Sequence, residues 1–517
     1  MGSRGTLKGV SVAEFFQSIL LEVKARVPRG AVGELALVFC AVVGTARGQQ
    51  MASAELPMAP SAVLASRQGA PAPVLTTTFA GGVTVEAATP GALPLGLDDA
   101  IARGLEHNLQ IQLDTQTERT VRGEILAVGN QLLPNMKATA YTNTQEVNLA
   151  ALGFKPSELS KFGLAPGSVP VIVKVDTTDV QLSVDQLLFN LPDYYLYRAA
   201  QKAASVANWN LLNTRGGVVL AVGTQYLATL ADEAQIANAQ ALVQADEEVL
   251  RQATLSHDAG VGINLDVLRA KVQLQTQQQT LVKDENTFAK DKIALNRLIG
   301  LPADQELTLT DTVPYAEYAE MPLEDAKTLA YVRRKDLRTL EAQLEVARGA
   351  SKAVKFERAP TLAFSGYYGV LGQTQGLYHG VFTAQGILKI PIFEEGRFRG
   401  EREVTAAQET ALERQIAALK VTIDAQIRSS MLDVESSAEL VKVARSNVEL
   451  ATQELSDTRD RFSAGVDDNL PVVQAQATLA AAQSQLVGTE FQYNQSKLAL
   501  ARNTGVVETQ YKQYLGR

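Results

Sequence analysis

The sequence predicts a mainly α-helical chain with membrane β-strands, in which one unit of helix, strand, strand, long helix and helix occurs twice. Blocks of residues recur at nearly constant offsets. Alternating apolar and polar residues mark two strands per repeat, and apolar residues at spacings of three and four mark long helices. An aromatic content of 6% favours long rods over a large aromatic core.

The first residues have the pattern of an export signal. Basic residues precede a short apolar run at 35–43, and small residues stand just before the expected cleavage point after Gly48. This run is too short to span a bilayer as a helix, which needs about 20 residues. We predict a signal peptide over 1–48. A non-cleaved anchor is the alternative, because Glu34 interrupts the segment.

Charge and cysteine content narrow the function classes. Cys40 is the only cysteine and lies in the predicted signal, so the mature chain is expected to lack thiol chemistry. The signal holds six basic and three acidic side chains, so its removal takes the formal charge from -8 to -11. An acidic chain argues against nucleic acid as a partner.

The remaining chain divides by composition and repetition. Residues 49–92 are rich in Ala and Pro and are predicted to be a disordered lead-in. We predict a first repeat over 93–301, an equatorial linker over 302–322, a second repeat over 323–506 and a C-terminal tail over 507–517.

The duplication is clearest where two Gly turns align. Residues 257–268 match 462–473 at an offset of 205. Farther upstream the offset is 226, so the first repeat has about twenty extra residues near 148–178, which we predict to be a surface loop.

The helices follow from apolar spacing and proline positions. They are predicted at 97–133, 193–259 and 265–299 in the first repeat, and at 324–358, 397–464 and 470–503 in the second. The first helix of each repeat should end before Pro134 or Pro360, because proline disfavours helical geometry in the residue before it. Gly216-Gly217 is a candidate kink in the first long rod.

Period-two patterns predict the strands, around 137–144, 180–185, 361–370 and 382–390. Strands of about ten residues with one apolar face suit a tilted bilayer crossing. Four strands cannot close a barrel, and an open edge in lipid costs several kcal/mol for each unpaired backbone group. Subunits must then pool strands, and three would supply twelve, enough for an open lumen. A soluble hairpin domain on a coiled coil is the alternative.

The ordered set of motifs resembles the TolC-like outer-membrane efflux protein family, also called outer-membrane factors. The motifs are Leu97-Asp98-Asp99-Ala100-Ile101, His107-Asn108, Leu132-Leu133-Pro134, Leu188-Phe189, Ala259-Gly260-Val261, Leu265-Asp266-Val267-Leu268, Leu298-Ile299-Gly300-Leu301-Pro302 and Phe462-Ser463-Ala464-Gly465-Val466. The resemblance covers about 95–506 and implies a trimeric α-helical barrel in the periplasm plus a shared 12-stranded β-barrel in the outer membrane.

The family implies a passive duct from periplasm to exterior in a tripartite efflux or type I secretion system. Its expected partners are two further subunits of a homotrimer, outer-membrane lipid, a periplasmic adaptor (membrane fusion) protein and an inner-membrane RND, ABC or MFS transporter. The alternative is a periplasmic adaptor-like coiled-coil scaffold, which should show one helical hairpin where this sequence has two. A secreted hydrolase would need a catalytic constellation, and none is evident.

The family places adaptor contacts and a gate at the periplasmic helix turns. Carried over by residue, one tip takes Gly260, Val261, Asn264, Leu265 and Asp266, and the other takes Gly465, Val466, Asn469 and Leu470. Asp467 and Asp468 are the candidate gate, since three subunits would place six carboxylates at the mouth and favour cations. Alternatively, Asp468 or Asn469 caps the following helix, with Pro471 in its first turn.

The sequence predicts no enzyme, cofactor or metal site. The three histidines fall in different segments, no metal-ligand spacing occurs, and a Gly-Lys-Ser/Thr phosphate loop is absent.

Overall fold

The computed structural model describes residues 81–83, 88–148, 150–151, 171–260, 262–312, 316–318, 321–374, 376–464, 466–467 and 469–516. The predicted signal peptide and most of the predicted lead-in lie outside these ranges. The described residues form two compact units. One contains strand segments from Thr139–Gln181 and Gly369–Val381, and the other contains the helices and the remaining strand segments.

The element order confirms the duplicated, mainly helical fold. The first repeat consists of β1 (Leu93–Leu95), α1 (Leu97–His107), α2 (Leu109–Gly129), β2 (Asn135–Asn148), β3 (Ile172–Phe189), α3 (Leu191–Asp258) and α4 (Asn264–Ile299). The second repeat begins after β4 (Leu307–Leu309) and consists of α5 (Leu323–Arg333), α6 (Lys335–Lys355), β5 (Thr361–Gln373), β6 (Tyr378–Lys389), α7 (Glu395–Ser463) and α8 (Leu470–Asn503). Helix α9 (Val507–Leu515) follows α8 in the chain.

The first helix of each repeat is divided, so the prediction of one continuous helix at 97–133 and another at 324–358 is wrong. Asn108 (ψ 126°) and Arg334 (ψ 124°) have extended backbones at equivalent positions. The Asn108 side chain accepts hydrogen bonds from the backbone N–H of Gln110 and Ile111, and so caps α2. The apolar spacing continues across each break, so periodicity alone did not reveal it.

The long helices α3 and α7 run for 68 and 69 residues. The α3 helix continues through Gly216-Gly217 without interruption. Gly216 is buried beside α9, and a Cβ there would lie at ordinary contact distance, 3.5 Å from Val507 Cγ1.

The linker and the C-terminal helix join the core at the middle of the helical unit. Strand β1 pairs in parallel with β4 of the linker. Tyr226 of α3 is fully buried, and its hydroxyl donates to Asp311 Oδ2 at 2.8 Å. The Tyr511 hydroxyl of α9 donates to Asp98 Oδ1 at 2.6 Å. These contacts surround a buried apolar core to which Leu295 belongs. Burial of each large apolar side chain in this core stabilises the fold by about 1.5 to 3 kcal/mol.

The four long strands form one sheet in the order β2-β3-β5-β6. Strand β3 begins at Ile172, so the predicted surface loop at 148–178 is wrong for its last residues, which extend the strand. The alternating apolar side chains of the strands are exposed, among them Val180, Leu182, Leu362, Phe364, Tyr368, Phe382 and Leu388. Among the helices of the described ranges, none has the length and apolarity to cross a membrane.

Candidate functional site: the two helix reversals

The first reversal joins α3 to α4 and depends on two glycines. Gly260 has φ +76°, and its N–H donates to the His257 carbonyl at 2.9 Å. At Gly262, a Cβ would lie 2.9 Å from the Ser256 Cβ, closer than side chains tolerate. The first position needs a left-handed backbone and the second needs close backbone approach, which explains the local choice of glycine.

The second reversal joins α7 to α8. The N–H of Ala464 donates to the Asp460 carbonyl at 3.0 Å, and the N–H of Val466 donates to the Arg461 carbonyl at 3.0 Å. Helix α8 begins at Leu470 with a proline in its first turn, where the missing N–H would have had no helical partner.

The two reversals are linked directly through Asn469. Its side-chain N–H donates to the Asp266 carbonyl of α4 at 2.8 Å, and Asn469 is fully buried. The predicted cap is therefore wrong for Asn469, which stands at the N-cap position but makes no side-chain capping bond. A cap would need the Asn469 Oδ1 to accept from a backbone N–H of α8, and this oxygen has no hydrogen-bond partner among the described residues.

Behind the reversals, all four helices share a small apolar core. It contains Val249 and Ala253 of α3, Ala270 of α4, Ala451 and Leu455 of α7, and Val472, Ala475 and Leu479 of α8. Its many alanines allow the helices to approach closely.

One buried acid near this core was not singled out from the sequence. Asp246 of α3 is only 2% exposed, and its Oδ1 has no hydrogen-bond partner in the described part of the chain. Burial raises the pKa of Asp246 to about 6, while a hydrogen bond from Gln273 and the charge of Arg459 act in the opposite direction. The repeat alignment contained a signal, because the position 205 residues later is Ala451.

An acidic groove lies along the second hairpin at its reversal. It has a volume of about 490 Å³ and is lined by Leu450, Gln453, Glu454, Asp457, Thr458, Arg461, Asp467 and Pro471. The candidate gate residue Asp467 pairs with Arg461, whose Nε lies 2.6 Å from Asp467 Oδ2. Part of the Asp467 charge is thus compensated within the same chain.

The predicted tip residues fall into three groups. Gly260, Asn264, Leu265, Val466 and Leu470 lie at the reversals, and the last four have exposed side chains. Asp266 and Asn469 lie there too, but they are buried against each other's hairpin. Val261, Gly465 and Asp468 lie outside the described residues.

The helical hairpin occurs twice, and the two helix reversals contact each other through Asn469. Together with strands that expose an apolar face, this arrangement defines the subunit of a membrane channel. The family model for outer membrane efflux proteins matches residues 100–301 and 328–506, which span most of both repeats. The chain belongs to this outer membrane efflux protein family and is located in the outer membrane. The two alternative interpretations, a periplasmic adaptor-like scaffold and a soluble hairpin domain on a coiled coil, are therefore excluded.

Individual relatives agree with the family. The chain is 24% identical over 417 residues to the pyoverdine export outer membrane protein OpmQ of Pseudomonas aeruginosa, covering 79% of this chain and 85% of OpmQ. It is 24% identical to the alkaline protease secretion protein AprF of the same organism, covering 63% of this chain and 69% of AprF. The solved structure of the MtrE outer membrane channel of Neisseria gonorrhoeae has the same fold, with a TM-score of 0.67 at 16% identity over 83% of this chain and 95% of MtrE.

Proposed function

We propose that three copies of this chain enclose one passive duct from the periplasm to the exterior. The observation that carries the proposal is the sheet, which ends in two outer strands, β2 and β6, and exposes apolar side chains along its strands. Outer strands with free backbone groups cannot face lipid, so β2 of one subunit pairs with β6 of the next. Three subunits then close a barrel of twelve strands with an open lumen.

The outer helices support the same head-to-tail assembly. Near the helix reversals, α3 and α8 lie between α4 and α7. Helix α7 exposes Val421, Leu432, Leu440 and Val443, and α4 exposes Leu268, Val272, Val282 and Ile293. The α7 stripe contains two spacings of 11 residues and the α4 stripe contains one, and 11 residues make about three full turns, so these side chains lie on one face of each helix. A contact between two different faces closes into a ring when the rotation between subunits fits.

A charge on the α7 stripe tests the assembly. Val443→Glu should abolish the trimer and its conductance, because a carboxylate would be buried without a partner at the interface. Gln408→Glu is the matched control, since it adds the same charge at an exposed polar position of α7. Molar mass in detergent and conductance in a planar bilayer are the measurements. A monomeric wild-type chain, or a fully conducting Val443→Glu trimer, would refute the proposal.

We further propose that the helix reversals meet a periplasmic adaptor protein, which connects the duct to an inner-membrane RND, ABC or MFS transporter. The exposed apolar side chains of Leu265, Val466 and Leu470 suit such a contact, and the acidic groove of α7 and α8 suits basic side chains on the partner. Site-specific crosslinking from Val466 in cells, with Gln408 as the control position, should capture the adaptor. Equal capture from both positions would contradict this contact.

The gate remains part of this proposal. With three subunits, Asp467 and Asp468 would bring six carboxylates to the narrow mouth and favour cations. The double substitution Asp467→Ala and Asp468→Ala should lower the cation preference of single channels in a planar bilayer. Unchanged conductance and selectivity would remove both residues from the gate.

A further inference from the structure

A group of charged side chains lies where the second strand pair meets the helices. The guanidinium of Arg397, in the first turn of α7, contacts three carboxylates. Its Nη1 lies 2.8 Å from Glu357 Oε2 and 3.2 Å from Glu401 Oε1, and its Nη2 lies 2.7 Å from Glu394 Oε2. Glu357 follows α6, so the group connects the end of α6 to the start of α7.

The three acids differ in their access to water. The side chains of Glu357 and Glu401 are 6% and 11% exposed, whereas Glu394 is 48% exposed. Water screens the Glu394 charge and reaches Arg397, whose side chain is 44% exposed, but the other two carboxylates share this one guanidinium with little access to water of their own. If both were ionised, the shielded part of the group would carry one uncompensated negative charge.

The position of one oxygen shows how this charge is removed. Glu357 Oε1 is buried and receives no hydrogen bond from any N–H or hydroxyl group of the described residues. The carboxyl group of Glu357 also lies within hydrogen-bonding reach of the carboxyl group of Glu401. Two ionised carboxylates repel each other, but one proton between them converts the contact into a hydrogen bond.

Among the described residues, the charged groups that act on the Glu357 carboxyl are Glu401 and Arg397, both on α7. On the α3 side, the Tyr195 ring stacks on Phe356 with 4.9 Å between ring centroids. The nearby Arg358 forms an ion pair with Glu395.

We propose that Glu357 and Glu401 hold one proton between them at neutral pH and thereby form a proton-dependent clasp between α6 and α7. Release of the proton in alkaline conditions leaves two adjacent carboxylates and loosens the end of α6 from α7. The first repeat has no such device, because Gln131 and Tyr197 occupy the matching positions.

The expected pH window follows from the pKa of the pair. Burial, followed by the hydrogen bond and charge of Glu401, raises the pKa of Glu357 to about 8, with Arg397 opposing the shift. The folded state therefore binds a proton that the unfolded chain releases near pH 4.5. The free energy of unfolding falls as pH rises from about 4.5 to about 8, and this contribution is constant above that range.

The test uses the full-length chain in detergent. Glu357→Gln places an amide donor against Glu401 and imitates the protonated pair, so this pair's contribution to the decrease in Tm between about pH 4.5 and about pH 8 should vanish. The protonated-carboxyl infrared band of the folded wild type should decrease around pH 8, and one such titrating band should be absent from Glu357→Gln. Glu401→Gln should have the same two effects, which keeps the test valid if one variant fails to fold.

Glu395→Gln is the control, because Glu395 lies in the same junction but is exposed and pairs with Arg358 and Arg402. It should keep the wild-type infrared titration and the wild-type dependence of Tm on pH. The proposal is overturned if the carboxyl band of Glu357→Gln titrates as in the wild type, or if Glu395→Gln removes the same band. These readouts require no transport, so they are independent of the duct function.

Discussion

The two hairpins of this chain have the same elements but different interiors near their reversals. The first hairpin buries Asp246 on α3, whereas the second has Ala451 at the matching position of α7, inside an apolar core. At the reversals, Asn264 is exposed but its counterpart Asn469 is buried and joins the hairpins. The two repeats thus share the same backbone path, but each repeat has its own buried polar contacts.

Exchanging the buried acid between hairpins should give the largest effect. Ala451→Asp places a carboxylate among Leu455, Val472 and their neighbours, with an expected cost of about 3 kcal/mol at neutral pH. Thermal unfolding in detergent measures it. A cost below about 1 kcal/mol would show that this core admits water or a cation.

The opposite exchange tests the first hairpin. Below pH 3.8 the Asp246 carboxyl is protonated in both the folded and unfolded states. Because its pKa is raised to about 6, the free energy of unfolding should fall between those two values as pH rises. Asp246→Ala should reduce this slope and raise Tm at neutral pH. An unaltered slope would mean that other groups cause it.

Removing the link between the reversals should have an intermediate effect. Asn469→Ala deletes a buried hydrogen bond to the Asp266 carbonyl and should cost about 1 to 2 kcal/mol. Asn264→Ala, at the matching exposed position, should change stability by less than about 0.5 kcal/mol. Equal losses in the two variants would contradict the asymmetry between the reversals.

A backbone effect should be the smallest. Gly260 has φ +76° and open space around its Cβ position, so Gly260→Ala adds only backbone strain, about 1 kcal/mol. Gly488→Ala also meets open space, but it lies within α8 and should stabilise the protein by about 0.5 to 1 kcal/mol. The two alanine variants should therefore shift Tm in opposite directions.

The sequence was sufficient for the features that repeat along the chain. The predicted boundaries of the long helices lie within two residues of α3 and α7, because apolar spacing and the Gly turns act locally. Asn108 and Arg334 interrupt helices without disturbing the apolar spacing, so their breaks required three-dimensional information. The role of Asn469 was missed for a different reason. Its partner is 203 residues away, and a capping position gives no hint of such a contact.

The uninterrupted length of α3 and α7 has a mechanical consequence. Each is a single hydrogen-bonded rod about 100 Å long, whereas the breaks at Asn108 and Arg334 lie in the short flanking helices. A torque applied at the reversals should therefore be transmitted along these rods, because each is one continuous helix. A rotation or translation at one end of α3 or α7 should therefore displace the other end of the same helix.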